Sequence, residues 1–246
     1  MRRFFLKEGA LQGKRMIFEG EEARHISRVL RLKRGERITG FDGRGREYIG
    51  TIAIIAPRHV EAVITEKKVA PKKLSLRVGL SPAVIKGAGL DDLLRRAVEI
   101  GISDFYPLLT SRTVVQPGKK REKREQRWKK IVRDAVRQSG RSRIPVVHPF
   151  RDWKGVLCLV SEFDLCLLPW EKEKKNGIKD LLSSSASSPL PASILVVIGP
   201  EGGFTDREVE AAVRAGFKTV SLGPATLRSA TAALAALTCV HYQFGW

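Results

Sequence analysis

Two strand-to-loop passages near the end of the chain restrict it to a narrow set of folds. Ile194-Leu195-Val196-Val197-Ile198 is an apolar, β-rich run that stops at Gly199-Pro200-Glu201-Gly202-Gly203. A run without polar alternation reads as a strand buried on both faces. Thr205-Asp206-Arg207-Glu208 follows as a capping box and opens a helix that Gly216 closes. The pattern then repeats. Thr219-Val220-Ser221-Leu222 stops at Gly223-Pro224, and a last helix is expected over residues 229–244. Strands alternating with helices make an α/β chain with a mostly parallel sheet covered on both faces. Ligands of such sheets bind beyond the carboxyl ends of the strands. Glycines there let a ligand approach the backbone, and prolines hold the loop rigid. Leu168-Pro169 is a third strand end of this kind.

The alternation reaches back to residue 74. A strand is expected over 74–80, and Leu90, Leu93, Leu94, Ala97 and Val98 mark an amphipathic helix that ends at Gly101. Further strands are expected at 105–110, 144–148 and 164–168. Between the first two of these, a helix within 118–140 carries Trp128, Ile131, Val132, Ala135, Val136 and Ser139 on one face. The serine-rich stretch 183–193 reads as a flexible connector. The last helix is rich in Ala and Leu on nearly all sides, which places it in a core or a subunit interface.

Before residue 74 the pattern changes. Ile38-Thr39-Gly40-Phe41 runs into Asp42-Gly43-Arg44-Gly45, a hairpin signal, and strand patterns follow at 47–52 and 59–65. Residues 21–32 read as a short helix with Ile26, Val29 and Leu30 on one face and Arg24, Arg28 and Arg31 on another. The charged, proline-bearing stretch 67–73 is the expected boundary between a β-rich domain of residues 1–70 and a second domain of residues 74–246.

Charge points to the partner. A formal net charge of +19 exceeds what solubility needs and calls for a polyanion. No apolar run approaches the roughly 18 residues of a membrane span, so a nucleic acid is favoured over a membrane. Lys130, Arg133 and Arg137 line one helix face and lead to Arg141 and Arg143, with no carboxylate run to balance them. The first residues carry no signal-peptide pattern. Cys158, Cys166 and Cys239 lack metal-type spacing, and His25, His59, His148 and His241 are scattered. Reduced thiols, a cytoplasmic location and no metal site are the expectations.

The 199–203 turn is not a Walker loop, because no Gly-Lys-Ser/Thr follows, and it is not the dinucleotide fingerprint. Taken with Leu222-Gly223-Pro224, Leu227-Arg228 and Thr231, however, it resembles the bacterial 16S ribosomal RNA uridine N3-methyltransferases of the knotted SPOUT superfamily. The resemblance spans the chain: His25, Val29-Leu30-Arg31, Gly35, Phe41-Asp42-Gly43, Lys86-Gly87, Glu99, Gly101, Arg112, Arg127-Trp128 and Gln138-Ser139-Gly140-Arg141 also match.

That resemblance implies a PUA-like β-barrel followed by a trefoil-knotted domain, a homodimer with the last helix in or near its interface, and methylation of a uridine at N3 in 16S ribosomal RNA of the small subunit. It implies S-adenosylmethionine held against Leu168, Pro169, Gly199, Pro200, Glu201, Gly202, Gly203, Leu222, Gly223, Leu227, Thr231 and Ala232. RNA contacts are expected from Arg24, Arg28, Arg31, Lys86, Arg112, Arg133, Arg137, Gln138 and Arg141. Arg228 is the candidate catalytic residue, placed to supply positive charge to the uracil oxygens. Its alternative role is to brace the loop through backbone carbonyls.

Two departures from the family pattern stand out. Ala230 occupies a position where the family carries Glu, and Arg137 precedes Gln138 where Glu is usual. With the acid missing, Ser229 is expected to cap the last helix. The alternatives are a silent RNA-binding assembly factor of the same fold, supported by Ala230, and a nucleotide-phosphate enzyme, which the lack of a loop lysine opposes.

Overall fold

The computed structural model describes residues 2–69, 76–85, 89–113, 121–186 and 189–245. The chain forms two units, one of residues 1–72 with 133–144 and one of residues 73–132 with 145–246. Residues 133–144 therefore group with the first unit, although sequence order places them within the second.

The first unit is a six-stranded sheet in the order β1-β4-β5-β6-β3-β2. Its strands are β1 (Arg2–Phe5), β2 (Leu11–Gln12), β3 (Arg15–Glu19), β4 (Arg37–Phe41), β5 (Arg46–Ala56) and β6 (His59–Val69). Only β1 and β4 pair in parallel. The β4–β5 hairpin forms where the Asp-Gly signal falls. Asp42 closes it by accepting from the backbone N–H groups of Arg44 and Arg46 at 2.8 and 3.1 Å. Phe4, Met16, Phe18, Ile38, Ile52 and Val60 are among the side chains that fill the core. Gly50 is required in this sheet, since a Cβ there would stand 2.6 Å from the Val63 carbonyl oxygen.

The helix expected over 21–32 is shorter and interrupted. α1 (Gly20–Arg24) gives way to a π turn, His25–Val29, in which the Leu30 N–H bonds the His25 carbonyl at 2.9 Å. A π turn adds one residue to the helical repeat, so the side-chain faces rotate out of the 3.6-residue pattern. Ile26 stays buried, but Val29 is 64% exposed and does not share its face. Arg31 follows at φ +50°, the left-handed position that ends the helix.

The second unit is built on a six-stranded, wholly parallel sheet in the order β10-β8-β7-β13-β12-β14. These strands are β7 (Arg77–Pro82), β8 (Asp104–Phe105), β10 (Val146–Val147), β12 (Leu165–Pro169), β13 (Ser193–Ile198) and β14 (Lys218–Val220). The strand expected at 105–110 breaks at Pro107, which has no N–H to donate to a ladder. Its second half, β9 (Leu108–Leu109), pairs instead with β11 (Arg151–Asp152).

Helices cover both faces. Leu195 and Val197 of β13 pack into a core with Val156 of α4 (Trp153–Leu157) and Val209 and Ala212 of α6 (Asp206–Ala215). On the other face, α2 (Gly89–Ile100) and α7 (Ser229–Phe244) pack on each other, and α7 on β7 and β13. The alternation of Cβ direction along a strand explains why β13 needs an unbroken apolar run. Trp128 of α3 (Arg121–Ser139) is buried and donates its indole N–H to Asp91 of α2 at 2.9 Å. Ser139, expected on the same face, is exposed.

One further expectation changes. Part of the serine-rich connector is the end of a helix, α5 (Ile178–Ser184), where the Ser184 and Ser185 hydroxyls both donate to the Leu181 carbonyl, at 2.9 and 2.8 Å. α7 is buried on one side only: Ala233, Ala236, Leu237 and Val240 face the core, while Tyr242 is 80% exposed.

Candidate functional site

Because β12 lies between β13 and β14, three consecutive strand ends meet along one edge of the sheet. The segments that follow them enclose a cavity of about 420 Å³. Pro169, the whole 199–203 turn, Leu222, Gly223, Leu227, Arg228 and Ala232 line it. Leu168 and Thr231 do not. The Leu168 side chain is fully buried in the core shared with α4 and α6, and Thr231 is exposed on α7 outside the lining. Trp170, Glu171, Lys174, Phe204 and Ser229 are among the lining residues that the sequence reading did not assign to the cofactor. All five sit within a few residues of the predicted positions, and the strand end at Pro169 was the available signal for the first three.

The 199–203 turn is held from several sides. Within it, the Gly203 N–H donates to the Pro200 carbonyl at 2.9 Å. Gly203 itself sits at φ +66°, and a Cβ on it would stand 2.6 Å from Glu171 Oε1. From α7, the Ser229 hydroxyl donates to the Gly199 carbonyl at 2.8 Å. Ser229 therefore does not cap its own helix. The N-cap position is Arg228, which makes no side-chain cap bond. The hydroxyl instead links the two loops. From the loop after β9, Arg112 Nη1 donates to the Gly202 carbonyl. Arg112, expected on RNA, thus engages the glycine turn.

Among the described residues, four charged side chains line the cavity: Arg228, Lys174, Glu171 and Glu201. Arg228 is exposed, and its side chain donates to no carbonyl among the described residues. Ala230 is not in the lining.

The wall carrying Glu171 and Lys174 is pinned by Glu173. Its carboxylate accepts from the Thr219 hydroxyl at 2.6 Å and from the Lys175 and Asn176 N–H groups at 2.8 and 3.1 Å. These bonds, the one from Thr219 foremost, pull its pKa down to about 2. A carboxylate with a depressed folded pKa adds stability above its unfolded pKa of about 4.3 and loses it as pH falls through the folded value. Denaturation midpoints measured against pH should fall between about 4.3 and about 2 in the native protein. That part of the fall should be missing in Glu173→Gln.

The remaining predicted residues lie in the first unit or outside the described residues. Arg24, Arg28, Arg31, Arg133 and Gln138 are exposed. Arg137 is half-buried and pairs with Asp134 at 3.2 Å, so the basic face is partly balanced after all. Arg141 is half-buried, burial lowers its pKa, and its backbone carbonyl accepts from Arg3 at 2.8 Å. Burial likewise lowers the pKa of His25. Lys86 lies outside the described residues.

Comparison with known proteins agrees across the chain. A family described as an RNA methyltransferase domain matches residues 72–241, and one described as an RNA methyltransferase PUA domain matches residues 18–65. Ribosomal RNA small subunit methyltransferase E of Bacillus subtilis is 32% identical over 248 residues, covering 99% of this chain and 97% of that one. The protein of the same name from Synechocystis is 34% identical over 218 residues, covering 88% and 69%. Among solved structures, ribosomal RNA small subunit methyltransferase E from Neisseria gonorrhoeae, bound to S-adenosyl methionine, superposes with a TM-score of 0.85 at 29% identity, covering 98% of this chain and 97% of that one.

Proposed function

We propose, from the premise that the chain belongs to the RNA methyltransferase family, that it methylates N3 of a uridine in 16S ribosomal RNA. At the coarser level it is a ribosomal RNA methyltransferase that takes its methyl group from S-adenosylmethionine. The observation that carries the reading is the cavity at the β12, β13 and β14 ends. At about 420 Å³ it falls in the size range of small-molecule sites. Its walls combine glycine and proline backbone with Leu222, Leu227 and Phe204, as a nucleoside with an amino-acid tail requires. The 199–203 turn, Leu222, Gly223, Leu227 and Ala232 would hold the cofactor. When bound, it supplies a methyl group already activated on a sulfonium.

The chain's own task is alignment and charge. N3 lies on the pairing edge of uracil, so the base must be unpaired or turned out before it can enter. As N3 gives up its proton, negative charge spreads onto the uracil oxygens. Arg228 is free at the rim to receive them, and the amino end of α7, a helix of 16 residues without a side-chain cap, adds to the positive potential. Glu171 and Glu201 are the two lining carboxylates among the described residues and the available acceptors for the N3 proton. Ala230 is not in the lining, so the reading as an active enzyme rests on no side chain at that position.

The exposed flank of α7 around Tyr242 is the proposed homodimer face, and a trefoil knot in the second unit belongs to the same reading. RNA affinity rests on Arg24, Arg28, Arg31, Arg133 and the wider +19 charge. Log affinity should fall linearly with log salt. Replacing Arg133 by Ala should make that slope shallower by about one, as measured by filter binding across salt concentrations.

Ser229→Ala removes the link between the loops. One neutral hydrogen bond is worth about 0.5–1.5 kcal/mol, so S-adenosylmethionine should bind about two- to tenfold more weakly in calorimetry. The reading itself is tested by labelled methyl transfer to small subunits that lack uridine N3-methylation. Recovery of N3-methyluridine supports it. Transfer to another atom would revise the position, and no transfer with cofactor still bound would favour the silent factor.

A further inference from the structure

We infer that Glu208 is a positioning residue for the cofactor turn, acting through Ser111 and Arg112. This rests on the reading of the cavity as the S-adenosylmethionine site.

In an ordinary capping box the acidic side chain reaches back to the N-cap residue and does no more. Glu208 does this with one oxygen. Oε2 accepts from the Thr205 N–H at 2.8 Å and from its hydroxyl at 2.9 Å. The other oxygen is committed elsewhere. Oε1 accepts from the backbone N–H and the hydroxyl of Ser111, both at 3.0 Å, across 97 residues of sequence. The residue is only 8% exposed, and all four groups bonded to its carboxylate donate. Burial alone would raise its pKa, but these bonds hold it below the ordinary value. An acceptor-only group is therefore required. A glutamine would turn its NH₂ toward N–H donors and lose one side of the bridge.

The residue next to Ser111 is Arg112, whose guanidinium holds the Gly202 carbonyl. The peptide between Gly202 and Gly203 is consequently fixed at both ends, its N–H on the Pro200 carbonyl at 2.9 Å and its C=O on Arg112. Two consecutive glycines otherwise leave this peptide unusually free to reorient. Arg112 is exposed and long, and a long side chain loses rotamer freedom when it is held in one place. Anchoring its backbone through Ser111 to a buried carboxylate of α6 reduces that loss. α6 also begins immediately after the turn, so one carboxylate sets both the exit of the turn and the clamp on its carbonyl.

The test compares Glu208→Gln, Arg112→Ala, Arg112→Lys and the Glu208→Gln/Arg112→Ala double variant in the full-length protein. Calorimetry with S-adenosylmethionine and hydrogen exchange of residues 199–205 are the readouts. Arg112→Ala leaves the capping box intact, so its thermal midpoint should barely move. Its cofactor Kd and KM should rise about tenfold, the effect of losing one charge-assisted hydrogen bond. Exchange across the turn should quicken. Arg112→Lys, which can still donate to the Gly202 carbonyl, should recover most of the affinity. The double variant should lose less affinity than the product of the two single losses, because both changes act on the same chain of contacts.

Unchanged Kd and unchanged exchange in Arg112→Ala would overturn the inference, as would losses that multiply in the double variant. A thermal loss in Glu208→Gln without any loss of affinity would reduce Glu208 to a helix cap. If the native protein binds no S-adenosylmethionine, the assignment of the cavity fails instead. Exchange of the turn in Arg112→Ala then decides the brace by itself.

Discussion

Arg228→Ala is expected to slow methyl transfer by about 100- to 1,000-fold, the usual cost of removing one preorganised group that meets developing charge. The loss should fall on kcat and leave cofactor affinity unchanged. The structure gives the reason for that division. The Arg228 side chain touches no loop carbonyl among the described residues, and as N-cap residue it contributes to α7 only through its backbone carbonyl, which accepts from the Ala232 N–H at 2.8 Å. Truncation therefore removes a charge at the rim without loosening a wall. Arg228→Lys keeps the charge but not the planar fork, and should recover part of the rate. Single-turnover rates set beside calorimetric affinities make the check. A parallel loss of affinity would return Arg228 to the role of a loop brace.

The second large effect is expected at Gly203. An L-residue at φ +66° carries a cost of about 1–2 kcal/mol. If the turn relaxes to escape that cost, cofactor binding has to restore it. Gly203→Ala should therefore weaken S-adenosylmethionine about five- to thirtyfold. The Cβ also meets Glu171 Oε1 at 2.6 Å, a contact that a flexible side chain can relieve by turning aside. Glu171→Ala combined with Gly203→Ala separates the two contributions. Backbone strain leaves the double variant as weak as Gly203→Ala, whereas side-chain crowding lets it recover.

Much of this site was legible in the sequence because its walls are local. An unbroken apolar run, a glycine turn and a capping box are written within fifteen neighbouring residues, 194–208, and α7 runs over the residues that its composition marks. The cofactor-binding positions expected in the turns line the cavity. Leu168 and Thr231 do not, and there the question is which way a side chain points at the end of a regular element. The contacts that hold the turn had no local signature. Ser229 meets Gly199 across 30 residues and Arg112 meets Gly202 across 90. Such pairs are set by strand order, and nothing in the repeat of strands and helices says that β14 lies beside β12. The π turn at His25 was equally hidden, since one extra residue in a helical turn leaves the apolar spacing almost unchanged while moving Val29 into solvent.

The sheet order has a kinetic consequence. β13 pairs with β7 in the register Ser193↔Arg77 to Ile198↔Pro82, so partners more than a hundred residues apart must find each other before the first cavity wall exists. Parallel pairings of this kind incur their loop-closure entropy early and return stabilisation late, which makes them slow steps of folding. The binding cleft is thus among the last features to mature. A partly folded chain holds no half-built version of it, and a ligand that recognises the cleft draws the population toward the finished molecule by mass action alone.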